Sequence, residues 1–272
     1  MPIIKNLLSG GRLEVKILGK DDEKIKFVIE GIDSALAGEL RRIMMSEVPT
    51  LAIEWVDFVK NDSVLWDEIV ASRLGLIPLV FKPKSYKFKK DCKCGGKGCT
   101  HCQVTLSLVK KGPCTVYSGD LIPSDKSVKP VYDKIPIVEL IEGQELKFEA
   151  IAELGLGKDH AKWQAAVVGY KAIPKITIGR GGNAKEYADR CPKKVFTFKN
   201  RKLKVAKPLE CNLCMTCVDL SKGAIKVEAD ETKFLFKLET VCGLKPKEIV
   251  MESIKILSDK LGEFSKDLRK LK

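Results

Sequence analysis

The sequence lacks several features that would place it in other protein classes. No apolar run approaches the roughly 18 residues that span a bilayer, and the longest runs, Gly75–Phe81 and Ala165–Tyr170, have the length of a strand. Aromatic residues make up 7% of the chain, which argues against an aromatic-rich binding surface. Met1–Gly11 lacks the basic-then-apolar order of a secretory signal. These absences predict a cytoplasmic protein without membrane contact.

Phosphate-binding motifs are also missing. Gly95–Gly98 and Gly179–Gly182 are rich in glycine, but neither has the spacing of a phosphate loop. The formal net charge is +13, from 49 basic and 36 acidic residues. Such a charge attracts polyanions, although a solvated surface or an acidic protein partner explains it equally well. The densest basic segment is the acid-free stretch Pro192–Leu209, which holds Lys193, Lys194, Lys199, Arg201, Lys202, Lys204 and Lys207.

Cysteine is abundant, with ten copies in 272 residues. In a reducing compartment these cysteines are not expected to form a disulfide framework. Eight of them fall into two groups, Cys92–Cys102 and Cys191–Cys217, and such clustering predicts metal binding. Cys114 and Cys242 have no companions at ligand spacing, so we expect them to be small buried hydrophobic residues.

The first group has the pattern Cys-x-Cys-x4-Cys-x2-Cys, with glycines between its halves. Four thiolates on so short a loop can complete the tetrahedral shell of Zn²⁺, and the glycines permit the backbone reversals that the shell needs. Because four sulfurs leave no position for water, the pattern predicts a structural zinc site. The alternative is a set of unliganded thiols. The predicted ligands are Cys92, Cys94, Cys99 and Cys102.

The second group has ferredoxin-like spacing, in which three cysteines at two-residue gaps and a distant Cys-Pro bind one iron–sulfur cluster. The predicted ligands are Cys191, Cys211, Cys214 and Cys217. Four cysteines favour a [4Fe–4S] cluster over [3Fe–4S], while a second zinc ion or a disulfide of the Cys191–Cys217 type is the alternative. The positions expected for a second cluster lack cysteine, which leaves one cluster; they hold Gly181, Ala184, Tyr187 and Ser221.

The apolar pattern predicts an α+β chain. Arg12–Leu18 and Lys24–Glu30 alternate as two antiparallel strands, and Asp33 is a candidate N-cap for a helix over Ser34–Val48. Phe81–Gly112 is rich in lysine, glycine and cysteine, which predicts a loop organised by metal. We also expect strands at Leu51–Val59, within Cys114–Tyr170 and at Lys233–Val241, and a helix at about Asp67–Leu74.

The last helix, from about Pro246, carries the clearest periodic signal. Its apolar residues follow a 4-3-4-3 spacing, which keeps one seam facing a partner helix. An amphipathic helix packed on its own domain fits the pattern equally well. The seam consists of Val250, Ile254, Leu257, Leu261, Phe264, Leu268 and Leu271.

Several segments resemble a known family. The sequence FVIEGIDSALAGELRRIMMSEVPTLAIEWVDF, followed by DEIVASRLGLIPL, is similar to the core of the bacterial RNA polymerase alpha subunit and its archaeal and eukaryotic counterparts. Gly157–Ala166 looks like a stretch typical of the archaeal and eukaryotic forms. The zinc loop resembles that of the third-largest subunit of eukaryotic RNA polymerase II, and the ferredoxin-like insert resembles that of the archaeal alpha-like (D-type) subunits. The resemblance covers nearly the whole chain.

This resemblance implies an alpha-subunit-like fold in three parts. Residues 1–50 and 230–272 would form a split dimerisation domain. Residues 51–172 and 218–229 would form an inserted, mainly β domain with the zinc loop at 82–112. Residues 173–217 would form the ferredoxin-like iron–sulfur insert.

The same resemblance implies a non-catalytic assembly subunit of DNA-directed RNA polymerase, which is a nucleotidyltransferase complex. The chain lacks the closely spaced aspartates of such a catalytic site. Its first and last helices would pair with subunit L, and Arg41 and Arg42 would help to hold the second-largest catalytic subunit through bidentate contacts. The small subunits N and P would also join, and DNA would be contacted only through the complex. The alternatives are an iron–sulfur electron-transfer or oxidoreductase subunit and, on charge alone, a free-standing nucleic-acid-binding protein.

Overall fold

The structure is a computed structural model that describes residues 13–179 and 184–271. Its helices are α1 (Ser34–Ser46), α2 (Asp67–Gly75), α3 (Ala184–Arg190), α4 (Thr216–Ser221) and α5 (Pro246–Lys270). Its strands are β1 (Glu14–Lys20), β2 (Lys24–Glu30), β3 (Thr50–Asn61), β4 (Leu79–Val80), β5 (Gln103–Lys111), β6 (Cys114–Tyr117), β7 (Ile122–Pro123), β8 (Lys129–Pro130), β9 (Pro136–Leu140), β10 (Glu145–Gly155), β11 (Ala166–Ile178), β12 (Phe196–Lys199), β13 (Lys202–Val205) and β14 (Ile225–Thr240). Runs of consecutive strands are thus separated by single helices, as expected for an α+β protein.

The chain divides into two compact units. Within the described residues, the first unit comprises 13–21, Ile25–Arg41, 169–179 and 184–237. The second comprises Asp22–Lys24, Arg42–Val168 and 238–271. The three-part division expected from the resemblance stays a prediction, and its boundary at residue 230 falls inside β14.

The first unit is built on a four-stranded sheet in the order β1-β2-β14-β11. Ile25, Phe27 and Ile29 of β2 are buried, as their alternation predicts. The ring of Phe27 stacks on Phe236 of β14 at 5.2 Å between centroids, and Phe236 in turn lies 5.4 Å from Tyr170 of β11. Aromatic side chains therefore join three strands of this sheet.

The second unit is built on a four-stranded sheet in the order β3-β10-β5-β7. β10 pairs antiparallel with both β3 and β5. Its buried residues Leu146, Phe148, Ala150 and Ala152 alternate along the strand and supply the centre of the core. The last helix of this unit, α5, buries Pro246, Ile249 and Ser253 near its start.

The first helix begins as the sequence predicts. The backbone N–H of Leu36 donates to the Asp33 carboxylate at 2.8 Å, which confirms Asp33 as the N-cap. Leu40, Ile43 and Met44 form its buried face. The helix ends at Ser46, slightly before the predicted end at Val48.

Three predicted features need correction. The alternation in Arg12–Leu18 predicts a half-buried strand, but β1 is exposed along its whole length. The segment Gln103–Lys111 is not part of a loop but forms β5, because Val104, Leu106 and Leu108 alternate into the core. The final strand begins at Ile225 rather than at Lys233. Among the described residues, no helix is both long and apolar enough to cross a membrane.

Candidate metal centres

The first cysteine group lies on a tight loop between a short 3-10 turn, Lys89–Asp91, and the start of β5. The N–H of Gly95 donates to the Cys92 carbonyl at 3.0 Å, and the N–H of Cys102 donates to the Cys99 carbonyl at 2.9 Å. Gly98 has a φ of +90°, a conformation that favours glycine. The two turns bring the four cysteines to one point.

The sulfur geometry of this loop suits a single ion. The Sγ–Sγ distances are 3.5 Å for Cys92–Cys99, 3.7 Å for Cys94–Cys102 and 3.8 Å for Cys99–Cys102. All four sulfurs lie within 4.8 Å of one another. Tetrahedral Zn²⁺ with bonds of about 2.3 Å separates its sulfurs by about 3.8 Å. The four thiols can therefore hold a metal ion without rearrangement.

The thiols of this loop differ in acidity. Burial works to raise the pKa of Cys94, but hydrogen bonds from the Cys92 thiol and the Gly98 N–H outweigh it and lower this pKa to about 6. Burial raises the pKa of the Cys102 thiol to about 12. Cys94 is thus ready to bind a cation, whereas a metal must displace the proton of Cys102.

An ion pair ties the cysteine loop to the sheet. The ammonium of Lys89 lies 2.7 Å from the carboxylate of Glu153 on β10, and the Glu153 side chain is only 11% exposed. The hydrogen bond to Glu153 raises the pKa of Lys89. No local pattern in the sequence indicates this pair, because its two residues are 64 positions apart.

The second cysteine group surrounds a cavity in the first unit. Cys191 follows α3, Cys211 follows the 3-10 turn Pro208–Glu210, and Cys217 lies on α4. Together with Cys214 they line one small cavity. The predicted ligands of this group therefore converge, although Cys191 is distant from the others in sequence.

The spacing of these sulfurs differs from that of the first group. Within the described part of the chain, Cys92, Cys94, Cys99 and Cys102 are the one group of three or more potential ligands whose atoms all lie within 4.8 Å of one another. The sulfurs of the second group are thus too widely spaced for one tetrahedral ion. In an iron–sulfur cluster each thiolate binds a different iron, so its four ligands do not have to meet at one ion.

The backbone around Cys214 adopts an uncommon conformation. Leu213 and Met215, on either side of it, have φ values of +58° and +60°, which cost roughly 1–2 kcal/mol per non-glycine residue. Hydrogen bonds from Thr216 lower the pKa of the exposed Cys214 thiol. Burial, followed by the neighbouring Cys211 and Cys191, raises the pKa of Cys217. Bound iron would offset both the backbone cost and the proximity of the thiolates.

The positions expected for a second cluster are packed with other side chains. Tyr187 is buried in the apolar core beside this cavity. The hydroxyl of Ser221 accepts a hydrogen bond from the Ile225 N–H at 2.9 Å and donates to the Val218 carbonyl at 3.1 Å. Ala184 is half-buried at the start of α3, and Gly181 lies outside the described residues. Tyr187 and Ser221 thus take part in packing and hydrogen bonds within the chain.

The predicted interface residues lie on surfaces that the described chain leaves accessible. On α5, Ile254, Phe264 and Leu268 are exposed by 36%, 63% and 49%. Val250, Leu257 and Leu261 are half-buried, and Leu271 is exposed. On α1, Arg41 is half-buried and Arg42 is exposed. The apolar seam is therefore distinct from the buried face of α5.

The two isolated cysteines are less buried than predicted. Cys114 and Cys242 are both half-buried. The Cys242 thiol lies 3.6 Å from the Thr240 hydroxyl, and burial raises the pKa of this thiol. Both cysteines sit at strand ends, where one side of the residue remains open.

Known proteins share this sequence along nearly its whole length. The chain is 45% identical over 259 residues to the DNA-directed RNA polymerase subunit Rpo3 of Methanosphaera stadtmanae, which covers 91% of this chain and 96% of that protein. The chain belongs to the Rpo3 family of RNA polymerase subunits. It is also 41% identical to the Rpo3 subunit of Methanosarcina acetivorans, over 93% of this chain and 97% of that protein. The chain is 37% identical to the Rpo3 subunit of Archaeoglobus fulgidus, over 95% of this chain and 98% of that protein.

A domain model gives the same family. The RNA polymerase Rpb3/RpoA insert domain matches residues 56–174. The match contains the four cysteines of the first group and ends before Cys191. Membership confirms the expected alpha-like subunit of an archaeal-type DNA-directed RNA polymerase and thus a role in transcription as part of a multisubunit complex.

Proposed function

We propose that the chain is the non-catalytic assembly subunit of its polymerase, of the archaeal D type. It pairs with subunit L, docks the second-largest catalytic subunit and the small subunits N and P, and carries no catalytic residues of its own. Its place of action is the cytoplasm. Similarity to Rpo3 subunits over more than nine-tenths of the chain is the observation that carries this proposal.

The last helix supports pairing with a partner. α5 buries Ile249 and Ser253 within its own unit, while Phe264 and Leu268 on the seam stay exposed. An apolar stripe of this kind is stable in water when another helix covers it. The alternative, a helix whose whole apolar seam packs on its own domain, does not agree with this exposure.

The two cysteine groups serve as structural metal centres in this proposal. Cys92, Cys94, Cys99 and Cys102 bind Zn²⁺, because their sulfur spacing suits one tetrahedral ion. Cys191, Cys211, Cys214 and Cys217 bind a [4Fe–4S] cluster, because they line one cavity at wider spacing. When bound, each centre would cross-link the segments that carry its cysteines.

Electron transfer is a weaker explanation of the same cluster. A relay needs a second redox centre nearby, and two of the positions for a second cluster are occupied by the packed side chains of Tyr187 and Ser221. An electron-transfer or oxidoreductase role also does not explain the similarity of the chain to polymerase subunits.

Purification of a tagged chain under anaerobic conditions tests the proposal. We expect the other polymerase subunits to co-purify, with about one zinc and about four irons per chain. Recovery of oxidoreductase subunits in place of polymerase subunits would overturn it.

A further inference from the structure

The densest basic segment of the chain forms a β-hairpin. β12 and β13 pair antiparallel, with Phe196 opposite Val205 and Lys199 opposite Lys202. The two connecting residues, Asn200 and Arg201, both have positive φ, at +50° and +57°. This is the two-residue turn that fixes hairpin register. The orientation of each side chain therefore follows from its position in the ladder.

The two faces of the hairpin differ sharply in chemistry. Phe196 is buried, and Leu203 and Val205 pack against the apolar core next to the cysteine cavity. The opposite face carries Thr197, Lys199, Lys202 and Lys204, all of them exposed. We call these three lysines with Thr197 the lysine face. None of its residues lines the cysteine cavity, so the lysines are not needed to balance the charge of a cluster.

The charge of the lysine face is not neutralised within the chain. Lys199 and Lys202 lie directly opposite each other, and like charges so placed destabilise a hairpin. Over residues 13–179 and 184–271, no carboxylate forms an ion pair with any of its three lysines. Lysines on other strands do pair, as in Lys24–Glu239 and Lys233–Glu30. The lysine face therefore presents uncompensated positive charge to solvent, which attracts anions.

We propose that the lysine face binds the phosphates of duplex DNA. Protein interfaces have aromatic or apolar anchors at their centre and are depleted in lysine, whereas the lysine face carries no apolar residue. Phe198, the exposed apolar residue of this hairpin, lies on the opposite face. Single-stranded nucleic acid is held by stacking on aromatic side chains, and the lysine face has none. A surface of lysines alone suits the regular phosphates of a duplex.

This inference rests on the proposed function, since it is the polymerase that brings the chain to DNA. It also departs from the expectation that DNA is contacted only through other subunits. The contact is independent of base sequence, because lysines on a flat ribbon reach phosphates rather than base edges.

Salt-dependent binding of the purified full chain to a labelled DNA duplex tests the proposal. The test variant combines Lys199→Gln, Lys202→Gln and Lys204→Gln. The control combines Lys126→Gln, Lys129→Gln and Lys134→Gln, which removes the same charge from exposed lysines elsewhere. Loss of three phosphate contacts should reduce the slope of log affinity against log salt by about 2.7. Between 50 and 200 mM salt, the wild-type affinity should then fall about 40-fold more than that of the test variant.

The control variant should keep the wild-type slope, and the iron content of both variants should stay unchanged. Equal losses in the two variants would attribute binding to net charge and overturn the proposal. So would tighter binding of single-stranded RNA than of the duplex. If the test variant binds DNA normally but fails to co-purify with a polymerase subunit, the partner is an acidic protein instead. The DNA-binding assay uses the purified chain alone. It therefore tests whether the lysine face binds DNA even if no polymerase subunits co-purify with the wild type.

Discussion

At Cys102, burial and metal binding favour different protonation states of the thiol: burial favours the neutral thiol, and a metal favours the thiolate. Its side chain is fully buried, and burial raises the pKa of its thiol to about 12, yet zinc binds the thiolate. Cys94 lies only a few ångströms away, and there hydrogen bonds from neighbouring groups outweigh burial and lower the pKa of the thiol to about 6. Zinc affinity therefore depends in part on the energy of removing the buried proton of Cys102.

Zinc retention should weaken as pH falls. Protons compete with zinc for the thiolates, and the raised pKa of Cys102 makes this competition strong throughout the neutral range. We expect a chromogenic chelator to remove zinc faster at about pH 6 than at about pH 8. A release rate that is independent of pH would show that these thiols are not the ligands.

Replacement of a single ligand should remove the zinc and leave the iron. Cys92→Ser weakens a shell that needs four sulfurs, so bound zinc should fall by about one equivalent. Cys114→Ser is the matched control, because Cys114 lies on β6, outside both groups. Metal analysis of the two variants decides the point, and unchanged zinc in Cys92→Ser would contradict the assignment.

The contact between Lys89 and Glu153 should stabilise the zinc loop. Lys89→Met leaves the Glu153 carboxylate buried without its cation, which costs about 1–3 kcal/mol. Lys93→Met removes an exposed lysine from the same loop and should have little effect. We expect faster zinc release from Lys89→Met alone. Equal release rates in both variants would show that the ion pair does not support the loop.

Among the elements, α5 is where the heptad pattern and the exposure of side chains agree. The pattern alone allowed either a partner helix or the helix's own domain, and only the exposed Ile254, Phe264 and Leu268 favour the partner. For β5 the prediction from the sequence and the structure disagree. Its alternating Val104, Leu106 and Leu108 were visible in the sequence, but the lysine- and glycine-rich composition before them suggested one continuous loop.

A charge in the seam should abolish pairing with subunit L. Leu257→Glu would bury an unpaired carboxylate in the interface, which costs several kcal/mol and lowers affinity by at least about a hundredfold. Ser258→Glu introduces the same charge at the next, exposed position and should leave pairing intact. Size-exclusion chromatography of each variant with subunit L measures the effect. Normal heterodimer formation by Leu257→Glu would rule out the seam as the interface.

At the scale of the whole molecule, the second cysteine group joins the two ends of the segment from Cys191 to Cys217. This segment is distant in sequence from the α5 seam. Cys191 and Cys211 bracket the hairpin, so a cluster would close a loop of about twenty residues and offset its closure entropy. The local core is small, with Tyr187, Val195 and Phe196 among its few buried side chains. Stability in this region should therefore depend on bound iron.

Loss of the cluster should unfold this region alone. Cys211→Ser should lose its iron and gain protease sites confined to roughly residues 173–219, while pairing with subunit L persists. Cys242→Ser should keep both iron and resistance to protease, because Cys242 lies outside the cavity. Limited proteolysis with mass spectrometry maps the cleavage sites. Cleavage spread over the whole chain, or loss of the complex with subunit L, would refute local unfolding.

The sequence by itself determined the local features of this protein. Spacing identified both cysteine groups, alternation identified β2, and Asp33 marked the start of α1. These signals arise within a few residues, and the pattern shows them directly. Tertiary structure alone decided which sulfurs lie within one ion's reach, which face of α5 is covered, and that Lys89 meets Glu153. Those features depend on distances between segments far apart in the chain, and no local pattern encodes such distances.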